Sequence, residues 1–110
     1  MATQYRLGGV IGMTAATATG NILGAGVAVN YPFATHVEGA FVQFCPNGPA
    51  VGEYLYVRFN ATTCTTTDWD FCLTPGDSVR APDGVLVSSV TCNSAAAQVY
   101  GTDFVVKGWI

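Results

Sequence analysis

Glycine and proline punctuate this chain too often for a helix. Thirteen Gly and five Pro fall within 110 residues, and between them no window keeps apolar residues at the three-and-four spacing of an amphipathic helix. What survives between the breakers is short and alternating, the period of strands whose successive side chains point to opposite faces. Glu53-Tyr54-Leu55-Tyr56-Val57-Arg58-Phe59-Asn60 is the clearest case, with Leu55, Val57 and Phe59 on one face and Tyr54, Tyr56, Arg58 and Asn60 on the other. Further strands are expected over 22–29, 37–45, 78–81, 85–92, 97–100 and 104–110. Seven or eight short antiparallel strands at this spacing predict an all-β domain, a β-sandwich or jelly-roll, with a small barrel as the remaining architecture.

The turns carry their own signals. Thr74-Pro75-Gly76-Asp77 suits a type II turn, with Pro fixing φ at its second position and Gly supplying positive φ at its third. Pro82-Asp83-Gly84 predicts a hairpin between Ser78–Ala81 and Val85–Cys92, and the segment 46–52 predicts another between Val37–Cys45 and Glu53–Asn60. A chain of 110 residues is one domain over its whole length. Its first thirty residues are expected to be an extended arm or interface strands.

Charge is scarce. Charged residues are 10% of the chain and apolar residues 50%, with net charge −3, against about 25% charged in ordinary soluble domains. Disorder is excluded by this composition, and nucleic-acid binding is disfavoured for want of a basic patch. Residues 7–37 carry no charge beyond a protonated His36, which makes a membrane span worth testing. Gly, Thr and Asn interrupt every apolar run before it reaches the ~18 residues a span requires, so membrane insertion is not expected. The amino terminus lacks the apolar core of a signal peptide, which points to synthesis in a cytoplasm.

Groups able to do chemistry are few. His36 stands two residues before Glu38, and Asp68 and Asp70 flank Trp69. In extended backbone the two aspartates point one way and the indole the other. A calcium loop would need more oxygen ligands than that pair supplies, and a lone histidine is more simply a surface residue than a catalyst. Gly8, Gly9 and Gly12 lack the strand before and helix after that a phosphate cradle requires. No enzyme, cofactor or metal site is expected. Asn60-Ala61-Thr62 matches the N-glycosylation pattern, which means little without a signal peptide.

Cys45, Cys64, Cys72 and Cys92 are too widely spaced for a zinc site. In the hairpin reading, Cys45 and Cys64 lie too far apart to bridge, whereas Cys72 and Cys92 come close and form the one plausible disulfide. Free thiols are the competing reading, and the one favoured for a cytoplasmically made chain.

So few charges make a thin coat for a lone monomer, and some surface is expected to be covered by a neighbouring chain. Trp69, Phe71, Trp109 and Ile110 are the candidate interface anchors. The segments Tyr56-Val57-Arg58-Phe59, Thr65-Thr66-Thr67-Asp68, Leu73-Thr74-Pro75-Gly76-Asp77-Ser78-Val79 and Ala96-Ala97-Gln98-Val99-Tyr100 resemble small accessory virion proteins of tailed bacteriophages. The resemblance covers about half the chain and carries over no binding residue. It implies a capsid decoration or cement protein, a homotrimer bound to the major capsid protein on the exterior of the virion. The alternative expectation is a carbohydrate-binding or fibre-tip module, with Tyr54, Tyr56 and Trp69 as stacking platforms.

Overall fold

The structure is a computed structural model that describes residues 10–11 and 22–109. Among the described residues ten strands follow one another: β1 (Val10–Ile11), β2 (Ile22–Leu23), β3 (Val29–Val37), β4 (Gly39–Phe44), β5 (Leu55–Phe59), β6 (Phe71–Leu73), β7 (Ser78–Arg80), β8 (Val87–Asn93), β9 (Gln98–Val99) and β10 (Phe104–Trp109). All pair antiparallel. One four-stranded sheet runs β1-β10-β4-β7, the second runs β3-β8-β5-β6, and β2 pairs with β9 apart from both.

That strand order has a simple logic. Leaving out the β2-β9 pair, the first strand pairs with the last, and the partnerships nest inward as β3 with β8, β4 with β7 and β5 with β6. Four strand pairs nested in this way and wrapped alternately into two sheets form a jelly-roll, the double Greek-key sandwich. The all-β expectation therefore holds, and the topology selects the jelly-roll.

Nesting also overturns both predicted hairpins. β4 lies in one sheet and β5 in the other, so the segment 46–52 crosses between sheets. β7 pairs with β4, and β8 pairs with β3 and β5, so Pro82-Asp83-Gly84 is likewise a crossing. The type II turn does form: Gly76 has φ 96° and the Asp77 N–H donates to the Thr74 carbonyl at 2.9 Å. It too passes from sheet to sheet. Among the eight nested strands, only β5 and β6 are both consecutive and paired, joined by the loop 60–70.

Alternation drives the packing. In β4 the side chains of Ala40, Val42 and Phe44 are buried, and opposite them Phe104 and Val106 of β10 turn the same way. From the second sheet come Tyr31, Val37, Leu55, Val57, Val87, Val90 and Cys92, completing one core between the sheets. Gly108 of β10 is a close approach: a Cβ there would lie 2.7 Å from the Phe33 ring and 2.9 Å from Val37 Cγ2. Tyr31, Tyr100 and Phe104 form an aromatic cluster, with ring centroids 5.2 to 5.9 Å apart. The Tyr100 hydroxyl donates to the Val106 carbonyl and accepts from its N–H.

Of the neutral amino-terminal third, β1 and β2 are integrated as strands against β10 and β9. Among the described residues no helix is long and apolar enough to cross a membrane.

Candidate binding surface

The outward positions of β5 build the most distinctive surface. Leu55 and Val57 enter the core, so Tyr54, Tyr56, Arg58 and Asn60 project from the opposite face. The loop 60–70 then folds back over that face. Arg58 is its centre: Nη1 lies 3.5 Å from Asp68 Oδ2, Nε lies 3.8 Å from Asp70 Oδ1, and Nη1 donates to the Thr63 carbonyl at 3.3 Å. Thr65 shapes the turn, its Oγ1 accepting the Asp68 N–H at 2.8 Å, and the Asp70 N–H donates to the Val57 carbonyl. Both aspartates thus turn to Arg58, while Trp69 packs on Tyr56 with ring centroids 6.1 Å apart. Tyr56 in turn lies 6.3 Å from Tyr54. The three aromatic residues foreseen as stacking platforms form one continuous file.

A polar network fastens the loop to the sheet. Thr91 and Asn93 of β8 face the loop and are buried beneath it. The Asn93 amide donates to the Cys64 carbonyl at 2.8 Å, the Thr91 hydroxyl donates to the Ala61 carbonyl, and the Asn30 amide is shared among Ala61 O, Ser89 Oγ and Thr91 Oγ1. Buried polar groups are tolerated only when paired in this way. Nothing in the sequence flagged this network, because its members come from β3, β8 and the loop 60–70, far apart in the chain.

A second feature was also missed. Asn60 adopts φ 59°, and its side chain accepts from Ser88 N–H at 2.7 Å while donating to the Leu86 carbonyl at 2.9 Å. Its backbone N–H donates to Ser89 O. This clamp holds the β7–β8 crossing so that Val85 and Leu86 stand exposed, Leu86 at 57%. With its amide occupied, Asn60 is committed to the fold rather than to a glycan.

The candidate bridge between Cys72 and Cys92 does not form, and all four cysteines are free. Cys72 is opposite Tyr56 and Cys92 opposite Val57, so the two flank β5 from either side and point to opposite faces of the sheet. Two strand spacings separate them, about 9.5 Å against a limit near 7 Å. Burial raises all four thiols, reinforced by Asp103 at Cys45, by Asp77 at Cys72 and by Cys64 at Cys92. Cys64 is pushed up to about 11 by burial, with Arg58 lowering it and Asp70 and Asp68 raising it. Thiols held protonated at neutral pH are poor nucleophiles and poor metal ligands. The Tyr56 hydroxyl is raised by burial, Cys72 and Tyr54.

The remaining candidates separate. Phe71 is not an exposed anchor: it is half-buried and meets Phe59 edge-on at 5.8 Å, against the core. Trp69 is 42% exposed. Trp109 closes β10, its backbone paired with Val10 and Gly39, and Ile110 lies outside the described residues. His36 and Glu38 are exposed on either side of buried Val37. Among the described residues no three of His, Cys, Asp and Glu come together as a metal site would require. Gly8, Gly9 and Gly12 lie outside the described residues. Comparison of the chain with protein-family models, curated proteins and solved structures gave no match.

Proposed function

We propose that this protein is a non-enzymatic structural component of a tailed-phage virion, one that oligomerises, as a trimer, and docks on the capsid exterior to reinforce the shell. The observation that carries the reading is the clamped presentation of Val85 and Leu86. Burying such a side chain is worth about 1.5–3 kcal/mol, yet the Asn60 hydrogen bonds fix the loop with both side chains in water. A rigid loop that holds apolar groups outward is the anatomy of an interface core.

Placement supports the same reading. Val37 pairs with Val87, and Gly39 pairs with Trp109, so β10 reaches Trp109 at the end of the molecule where Leu86 is displayed. That end joins a loop with two adjacent exposed apolar residues, Val85 and Leu86, to the strand whose Trp109 the sequence marked for contact. The scarcity of charge agrees, and so do the jelly-roll and the phage-like segments, although the fold by itself supports only an analogy with viral shell proteins.

Native mass spectrometry tests the proposal. The expected result is a trimer that Leu86→Asp and Val85→Asp convert to monomer while leaving the melting temperature within about 3 °C. A wild-type chain that stays monomeric at ~100 μM and does not co-sediment with tailed-phage capsids stripped of their accessory proteins would overturn it.

A further inference from the structure

We propose that Tyr54, Tyr56 and Trp69 form a platform for a neutral oligosaccharide, a chain of hexopyranose units bearing mostly equatorial hydroxyls. The three rings stand in file on the outward face of β5, at steps of 6.3 and 6.1 Å and with tilts of 35° and 38° between neighbours. Tyr54 is 45% and Trp69 42% exposed, at either end of a half-buried Tyr56. The file is held in place before any ligand arrives. Two rings come from β5 and the residue that precedes it, and Trp69 is fixed on both sides by the aspartates that Arg58 holds. Such preorganisation spares a ligand the cost of ordering the site.

The chemistry of the file selects the occupant. The Tyr54 and Tyr56 hydroxyls and the Trp69 indole N–H make no hydrogen bond among the described residues, so each ring offers an apolar face and a free polar tip. Beside them, Asn93 Oδ1, on the cross-strand neighbour of Tyr56, is a buried acceptor without a partner. An equatorially hydroxylated pyranose has the complementary form, with axial C–H bonds on its flat face and hydroxyls around its rim. A protein partner would instead want contiguous apolar area, whereas this file is hemmed by exposed Thr65, Thr67, Asp68 and Asp70. The same carboxylates, on a chain of net charge −3, repel uronic acids, sialic acids and nucleotides. Neutral sugars remain.

This site is separate from the proposed docking end. Tyr54 precedes β5 beside the carboxyl end of β8, and Leu86 precedes the amino end of β8, so the two surfaces are a strand length apart. Their failures are therefore distinguishable.

Isothermal titration with cellohexaose, chitohexaose and mannohexaose, with polygalacturonate as the anionic control, tests the inference. At least one neutral hexamer is expected to bind with a dissociation constant between about 10 μM and 1 mM. Trp69→Ala and Tyr54→Ala are each expected to weaken it at least about tenfold, and Trp69→Phe less than about threefold. Leu86→Asp leaves it unchanged. Circular dichroism melts of each variant verify folding, and the exposed Tyr54 supplies the readout should Trp69→Ala fail to fold. The inference is overturned if no neutral hexamer binds up to ~10 mM. It is equally overturned if binding survives both alanine variants, if only polygalacturonate binds, or if Trp69→Ala abolishes capsid attachment and no sugar binding is found.

Discussion

Gly108 shows how one missing Cβ can decide whether a sheet packs. In a strand interior, replacing Gly with Ala removes an entropic penalty and is ordinarily favourable. Here the added carbon would meet Phe33 at 2.7 Å and Val37 at 2.9 Å, both in the core. Overpacking wins, and Gly108→Ala is expected to destabilise by about 1–3 kcal/mol, read from the urea midpoint at unchanged m-value. Asp77 works through charge instead. The Thr74 hydroxyl and then its backbone N–H hold the Asp77 carboxyl below its ordinary value of 3.8, with desolvation opposing weakly. A depressed carboxyl contributes stability that is fully present above the unfolded value and fades as pH falls through the folded one. Thermal melts are therefore expected to lose stability below pH ~4, and Asp77→Asn to show a shallower acid limb.

Among elements, the loop 60–70 is the one whose integrity most affects the surface. It is held less by apolar contact than by the hydrogen bonds of Asn30, Thr91 and Asn93. Asn93→Ala leaves the Cys64 carbonyl without its donor, at an expected loss of about 1–3 kcal/mol. The same change is expected to speed labelling of Cys64 by an aromatic disulfide reagent, since the thiol is 1% exposed only while the loop is closed. Arg58 contributes differently: its ion pairs are with exposed aspartates, which are worth little as stability, and their effect is to orient Trp69. At this scale most strands were legible, since β2, β4, β5, β7, β9 and β10 fall inside the segments marked by alternation and turn residues, and β8 overruns its segment only at Asn93. β3 was not, because Pro32 and the bulge between Pro32 and Val37 spoil its period. Nor was β6, three residues at the end of a Thr-rich loop.

For the whole molecule, burial sets the alkaline limit. Cys64 rises from 9.0 to about 11, and Cys92, Tyr31 and Tyr100 are also raised, each by burial first. A group whose folded value lies above its unfolded value contributes stability that is complete below the unfolded value and lost as pH rises through the folded one. Melting temperatures are expected to decline progressively from pH ~9 to 11, and Cys64→Ser to make the decline shallower, with Cys92 still setting its onset. A flat profile across that window would contradict the buried placement of these groups. The jelly-roll explains why Tyr31, Tyr100 and Cys92 are buried together, since its nesting draws β3 and β8 into one sheet and lays β10 across the core from them, whereas Cys64 is buried within the loop 60–70.

By itself the sequence determined the class of fold and the two faces of β5, because period-two alternation and Gly/Pro turns are local properties that hold whatever the partner strand. It also brought Tyr54, Tyr56 and Trp69 into view as a group. Which strands pair was decided only in three dimensions: nesting joins residues as distant as Val10 and Trp109, and a turn signal says that the chain reverses without saying into which sheet. The candidate disulfide fails for that reason, since nearness in a presumed hairpin becomes opposite faces of a sheet. The placement of Thr91 and Asn93 was decided in the same way. Their burial depends on a loop folding back from β5, which no local pattern encodes.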